Sequence, residues 1–321
     1  MILPSVWYTY PVMDFPILTL LDTDASVDWI TQHFHPDGFG CPHCQAHLTE
    51  ARFFRTNRGS CLPVYRCRAC QGVYTLYSHT LFEGSQLLPA QVVLLLRGVF
   101  QGQSSAQLAR ELELTAKTVL KWRHRLQAEI QSLQPTTPLP DCATESDELF
   151  QNAGEKGDEH FDPLDPPRAR ANKRRGRGTY ANDRPPVLGT VGRVSGQVRL
   201  RVVLDTKQTT LRAHVEQFTG PGTHVYTDEY DSYATIERPH TTVCHGAREW
   251  ARDADGDGTR EAHTNTCEGM WAGLRTYLRV FRGVHKRYLS GYLALHEFRV
   301  NLKAVSALFV AAVVTLHELY C

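Results

Sequence analysis

Two Cys-x-x-Cys pairs constrain this chain more than any other feature. Cys41 and Cys44 stand in CPHC, and Cys67 and Cys70 in CRAC, with 22 residues between the pairs. The gap is filled by strand-like runs, ARFFRTNRG and LPVYRC. Two knuckles at that separation match a ribbon closed by one tetrahedral four-thiolate Zn²⁺ site. The alternative is two chance pairs among reduced thiols. Four protein ligands leave no open coordination position, so the expected zinc is structural. Such a ribbon serves to grip nucleic acid or a partner surface. Cys61 and His43 complete no further knuckle. Nine cysteines without a basic secretory n-region argue for thiols and metal ligands rather than disulfides.

Beyond the ribbon the chain is helical. QLLPAQVVLLLRGVF is a buried helix starting near Pro89. In GQSSAQLARELELTAKTVLKWRHRLQ, Ser104 or Ser105 caps one helix and Thr115 the next, with a turn at Leu114. Two helices joined by a short turn are the helix-turn-helix arrangement, whose second helix enters the major groove of duplex DNA. Lys117, Lys121, Arg123 and Arg125 are read as its exposed, DNA-facing residues. The competing reading is an ordinary helical hairpin with a solvated basic face. Before the ribbon, DTDASVDWITQHF is a short leader helix capped by Asp24 or Ser26.

Pro135, Pro138 and Pro140 mark a linker. Beyond it, ATESDELFQNAG is a strand carrying Asp147 and Glu148. PVLGTVGRV and QVRLRVVLD form a hairpin around Ser195-Gly196. A helix over Thr210 to Phe218 leads to THVYT, a strand ending at Asp228. A short helix, a strand ending near His245 and a helix from HTNTCEGMWAGLR complete the order. Three antiparallel strands followed by alternating helices and strands is the order of a ribonuclease-H-like domain. A carboxylate at a strand end is held by the sheet, and one in a first helical turn is favoured by the helix dipole. If Asp228, Asp147 and Glu268 converge, they make a Mg²⁺ site of hard oxygen ligands.

Overall charge says little about partners, with Lys plus Arg at 35 and Asp plus Glu at 34. Its distribution says more. Residues 168–184 hold seven basic side chains, Lys173, Arg174 and Arg175 among them, against Asp183 alone. That segment is either a solvated insert or a phosphate contact. The apolar run near 304–315 is well short of the ~20 residues that span a bilayer, so no membrane partner is expected. DADGDG at 253–258 looks like a calcium loop but has Thr264 where that loop needs Glu, and is read as a solvated loop.

CPHC with CRAC, the helix-turn-helix run, SDELFQNAG, VYTDEYDSY, VCHGAREW, HTNTCEGMWAGLR, RGVHKRYLSGYL and HEFRVN together resemble a bacterial insertion-sequence transposase of the DDE type, in the ISXO-two-like group with an N-terminal zinc ribbon. The resemblance covers residues 38–303. It implies a multi-domain α+β / α/β chain: a leader at 1–36, the ribbon at 37–82, a helix-turn-helix module at 83–134, a linker at 135–143, a ribonuclease-H-like core at 144–303 and an apolar tail at 304–321. It implies Asp147 and Asp228 as the first two metal-binding acids. The third falls on Asn265 or Glu268. Glu268 is preferred, because a carboxylate neutralises a metal and an amide does not. Arg275, seven residues beyond Glu268, stands where Lys is common and is read as a phosphate contact. The run after Asp147-Glu148 is less Gly-rich than the group's usual pattern, and the tail carries no family motif.

The activity so implied is Mg²⁺-dependent strand cleavage and transfer, with two Mg²⁺ ions ~4 Å apart. The partners are double-stranded DNA, as terminal repeats and target, and further copies of the chain. The location is the cytoplasm, at the nucleoid. Two other readings share these residues: a non-catalytic DNA-binding regulator, and a ribonuclease-H-like nuclease that does not join strands.

Overall fold

The computed structural model describes residues 22–155, 177–302 and 307–314. Lys173, Arg174 and Arg175, the first 21 residues of the leader and the tail outside 307–314 lie beyond them. The chain divides into two compact units, one of residues 1–133 with 304–321 and one of 134–303. No helix among the described residues is long and apolar enough to cross a membrane.

In the first unit, α1 (Thr23–Phe34) is capped by Asp22, whose Oδ1 accepts from Ala25 N at 2.9 Å, and not by Asp24 or Ser26. Ser26 is buried and donates back to the Asp22 carbonyl. A three-stranded sheet comes next, β1 (Ala51–Thr56), β2 (Pro63–Cys67) and β3 (Val73–Tyr74), paired antiparallel in that order. Each Cys-x-x-Cys turns the same way. Gln45 N donates to Cys41 O and Gln71 N to Cys67 O, and both glutamines take the left-handed backbone. Gly72 succeeds the second knuckle because a Cβ there would sit 2.3 Å from the His43 ring. The knuckles bring Cys41 Sγ to 3.5 Å from Cys70 Sγ, and Cys44 Sγ to 3.6 Å from Cys67 Sγ.

Three helices complete this unit: α2 (Pro89–Phe100), α3 (Ser105–Glu111) and α4 (Ala116–Ser132). Ser104 caps α3 and Thr115 caps α4, and Glu113 takes a left-handed conformation in the turn between them. Lys117 and Lys121 are exposed on α4. Arg125 stacks over Trp122, 4.7 Å from the ring centre. Arg123 is a correction to the sequence reading, being fully buried. Its Nε donates to Ser105 Oγ at 2.9 Å and its other guanidinium nitrogen to the Gln103 carbonyl, so it ties α4 to the start of α3. An arginine stem between Trp122 and Leu126 lies near the apolar face of a helix, and it is buried when backbone and hydroxyl acceptors stand within reach. Residues 307–314 of the tail form α8, whose Phe309 packs 5.6 Å from the Phe100 ring.

The second unit is built on a five-stranded mixed sheet flanked by helices. Its strands are β4 (Ala143–Phe150), β5 (Pro186–Gly192), β6 (Val198–Val202), β7 (His224–Asp228) and β8 (His240–Val243), in the order β6-β5-β4-β7-β8. β4, β5 and β6 pair antiparallel, and β4, β7 and β8 pair parallel. α5 (Gln208–Phe218) leads into β7, α6 (Asn265–Arg279) packs on β4 and β5, and α7 (Leu289–Leu302) packs on β6. Glu297 of α7 is fully buried, accepting from Leu200 N, Arg201 and Gln134. Lys286 sits between the two flanks of residues 156–176, reaching Glu155 on one side and Asp183 and the Tyr180 carbonyl on the other.

Candidate active site

The register of β4 against β7 dictates what meets at their ends. The ladder pairs Ala143 with His224, Thr144 with Val225 and Glu145 with Tyr226. Continued by two residues, it sets Asp147, within β4, beside Asp228, the last residue of β7. Side chains two apart on a strand share a face, so Glu145 and Asp147 both look toward α6. Trp271 of α6 donates from Nε1 to Asp147 Oδ2 at 2.7 Å, and Glu148 N donates to Asp147 Oδ1 at 2.8 Å. Tyr230 N donates to Asp228 Oδ1 at 3.1 Å.

The carboxyls here are held high. Burial, partly offset by the Trp271 hydrogen bond and reinforced by Asp228, pushes Asp147 up to about 6. Burial and then Asp147 push Glu148 up to about 7, although Tyr233 donates to its Oε2 at 2.9 Å. Burial raises Asp228 as well. Clustered carboxylates repel one another unless a cation intervenes. Two basic side chains act on the group. His245 lowers Asp147 and Asp228, and Arg177 lowers Glu148 and Asp228. His245 Nε2 lies 3.0 Å from Thr264 Oγ1, and Arg177 lies over the Tyr230 ring at 3.7 Å. In the sequence, His245 marked only the end of a strand and Arg177 only one of the basic side chains of 168–184.

A second, buried layer holds the start of α6. Glu145 is fully buried. Its Oε1 meets Arg193 Nε at 2.9 Å, His263 Nδ1 at 3.1 Å and Thr266 Oγ1 at 2.8 Å, and its Oε2 accepts from Cys267 N at 2.9 Å. Arg193 also donates to the carbonyls of Glu261 and His263 and lies over Tyr226 at 3.7 Å. One arginine from the β5–β6 turn therefore fixes the chain entering α6. Glu268 and Arg275 stand on that helix, both exposed and two turns apart on one side, and Asn265 is exposed at its first position. Sequence reasoning did not single out Glu145, Arg193, Trp271 or Glu148 as site residues. The signals it offered were the acids on either side of Asp147 in the same strand, Glu145 and Glu148.

Among the described residues, two groups of metal-ligand type draw their atoms within 4.8 Å of one another. One is Cys41, Cys44, Cys67 and Cys70. A Zn–S bond of ~2.3 Å in a tetrahedron separates sulfurs by ~3.8 Å, close to the observed spacing, so the four thiols fit zinc. The other is Asp253, Asp255, Asp257 and Glu261, in an exposed loop where Gly256 and Gly258 donate to Asp253. The sequence reading had no folded cluster there. Asp147, Asp228 and Glu268 do not close to that spacing. The oxygens of Asp147 are turned to Trp271 and Glu148 instead. The donor set still suits a hard divalent cation: half-buried carboxyl oxygens gathered on adjacent strands.

Residues 156–301 match the family described as the ISXO2-like transposase domain. An uncharacterized protein in transposable element ISH50 of Halobacterium salinarum is 27% identical over 286 residues, spanning 88% of this chain and 92% of that protein. Two solved structures share part of the chain at low similarity. In the simian T-cell lymphotropic virus intasome in complex with PP2A regulatory subunit B56 gamma, one chain is 14% identical, with 64% of this chain and 68% of that one covered, at a TM-score of 0.29. In a pre-cleavage Mos1 transpososome the figures are 11%, 71% and 79%, at a TM-score of 0.18. Likeness at those scores carries no argument about fold. The domain match, and a relative of nearly full length in a transposable element, support an insertion-sequence transposase of the DDE type and ISXO2-like group.

Proposed function

We propose that this transposase binds the ends of its element and carries out Mg²⁺-dependent cleavage and transfer of DNA strands at Asp147 and Asp228. The observation that carries the reading is their meeting on adjacent parallel strands, with protons held up by burial and mutual repulsion. The strand order, antiparallel and then parallel around β4, supports a ribonuclease-H-like core over 144–303. Asp147 and Asp228 would hold the metal, with Glu268 as the third acid and Asn265 as its competitor. Bound there, Mg²⁺ supplies Lewis acidity and lowers the pKa of an attacking water or 3′-hydroxyl. The chain's own part is orientation. Trp271 fixes the Asp147 carboxylate, Tyr230 N fixes Asp228, and Arg193 with Glu145 sets the start of α6. Arg177 and Arg275 offer guanidinium groups to phosphate.

Binding is assigned to the first unit. A zinc held by Cys41, Cys44, Cys67 and Cys70 would order the ribbon over 37–82, and α3 with α4 supports a helix-turn-helix over 83–134. Lys117, Lys121 and Arg125 would face DNA, joined by Lys173, Arg174 and Arg175 from the second unit. Residues 135–143 would lead from binding into catalysis, already part of the second unit and entering β4 at Ala143. Assembly of several copies on DNA, and a place at the nucleoid in the cytoplasm, belong to the same proposal.

A Mg²⁺-dependent cleavage assay on DNA carrying the element's ends, run beside gel-shift titrations, tests it. Wild type is expected to bind ends and nick them, and Asp228→Asn to bind without nicking. Binding without cleavage by wild type in Mg²⁺ or Mn²⁺ would favour the regulator. Cleavage without joined products would favour the nuclease.

A further inference from the structure

The zinc-ribbon sheet carries a surface that the proposed function leaves unused. Residues 41–80 hold Arg52, Arg55, Arg58, Arg66 and Arg68 against a single acid, Glu50. In a chain of formal net charge +1, that excess is local. Among the described residues, no carboxylate pairs with any of these five guanidinium groups. Arg66 Nε is buried without a hydrogen-bond partner.

Aromatic rings stand among these cations. Apart from its first residue, β1 is exposed throughout, with Phe53 at 62% and Phe54 at 45%. The β1–β2 register shifts between Phe53 and Arg55, so Phe54 is the bulged residue. A bulge breaks the alternation of faces and re-aims side chains, which accounts for two consecutive rings in solvent. The Arg66 guanidinium lies 4.4 Å from the Phe54 ring centre, and that of Arg55 lies 6.0 Å away. Arg52 and Arg66 sit directly opposite each other across the two strands. Like charges so placed oppose sheet pairing, and a bound polyanion relieves that repulsion.

We infer that the β1–β2 face of the ribbon binds single-stranded DNA, with Phe53 and Phe54 as stacking platforms for bases and Arg52, Arg55 and Arg66 as phosphate contacts. Exposed rings among uncommitted cations are what unpaired strands need, since every base offers a π-face and every link a phosphate. A duplex keeps its bases stacked inside and gives the rings nothing to cover. A second copy of the chain would bring five like charges against five. The inference goes beyond the catalytic reading, because it concerns the ribbon alone and requires no cleavage.

The test uses the full chain, with a short labelled oligothymidine and a duplex of the same length as probes, read by fluorescence anisotropy. Phe53→Ala is expected to weaken oligothymidine binding roughly 5- to 100-fold and to leave duplex binding within about twofold. Arg52→Ala combined with Arg66→Ala is expected to lower the salt slope for the single strand by about 1.4, at ~0.7 for each phosphate contact. Zinc content, measured on every variant, reports whether the ribbon is folded. If Phe53→Ala loses its zinc, Phe53→Tyr and photocrosslinking of wild type to a bromodeoxyuridine strand take its place. Retained affinity in Phe53→Tyr with a crosslink inside residues 51–67 supports the inference, and crosslinks confined elsewhere overturn it. It is also overturned if wild type does not bind oligothymidine, if zinc-loaded Phe53→Ala loses both probes equally, or if it changes sedimentation with single-strand affinity intact, which marks a self-contact. The cleavage assay has no bearing on these outcomes.

Discussion

Trp271 Nε1 donates a 2.7 Å hydrogen bond to Asp147 Oδ2, joining residues 124 apart in the chain. The bond needs a glycine. Gly189 is Asp147's partner on β5, and a Cβ there would lie 2.5 Å from Met270 Cε and 2.6 Å from the Trp271 ring. Trp271→Phe keeps most of the ring and loses the donor. It is expected to lower strand cleavage about 10- to 100-fold through misplacement of Asp147, with end binding unchanged. Gly189→Ala should also cost about 1–3 kcal/mol of stability through overpacking. Thermal unfolding beside the cleavage assay checks both, and unchanged cleavage in Trp271→Phe would remove Trp271 from the site.

The raised carboxyls predict a pH dependence of stability. Folded Asp147 and Glu148 hold protons up to about 6 and about 7, whereas their ordinary values are 3.8 and 4.5. The folded state therefore binds more protons than the unfolded state across that window. The stability this gives is complete below about pH 4 and is lost as pH rises through 6 to 7. In Mg²⁺-free buffer the second unit is expected to melt at lower temperature at about pH 8 than at about pH 5. Mg²⁺ should recover the midpoint at the higher pH and do little at the lower, where protons compete for the same oxygens. Asp147→Asn should flatten both responses. A midpoint that rises with pH in this window contradicts the account.

Arg193 is expected to matter more for the fold than its partly exposed position at a hairpin turn suggests. Arg193→Ala strands the buried Glu145 carboxylate and should cost about 3–5 kcal/mol. Replacing both partners together, Glu145→Gln with Arg193→Met, should recover much of that loss. Chemical denaturation of the two single variants and the double variant measures the coupling. A double variant as unstable as the sum of the singles would mean that the two side chains act independently.

The α4 arginines should separate by burial. Lys121→Ala with Arg125→Ala is expected to weaken binding to element ends and reduce its salt slope by about one unit for each phosphate no longer neutralised. Arg123→Ala should instead destabilise the first unit by about 2 kcal/mol or more, leaving the Gln103 carbonyl and Ser105 without their donor. Circular dichroism melts set against gel shifts distinguish the two. A folded Arg123→Ala that loses end binding would return Arg123 to the DNA-facing set.

The legible parts of the sequence were those with short-range causes. The cysteine spacing, the Ser104 and Thr115 caps and the hairpin at Ser195-Gly196 all act within a few residues, and each element appears where its signal lies. Asp228 could be placed at a strand end because an apolar run leads into it, and Asp147 could be placed on a strand. The features that stayed hidden depend on register and on meetings between distant segments. Glu148 matters because Tyr233 and the two aspartates surround it. Arg193 matters because it meets Glu145 and the entry to α6. Arg123 looked solvated because helical spacing alone did not reveal that Gln103 and Ser105 lay within its reach. Asp253 and Glu261 gather through backbone donors in a loop that looks like a calcium loop without the closing Glu and so reads as solvated.

The Lys286 clasp bears on how the second unit tolerates a break. Lys286 joins Glu155 to Asp183 and the Tyr180 carbonyl, and β4 and β5 pair over seven positions just beyond those flanks. Continuity of the peptide between 156 and 176 is thus not what holds the two sides together. A polypeptide severed there is expected to keep its sheet, its aspartates and its clasp, and to behave as two complementary fragments of one unit.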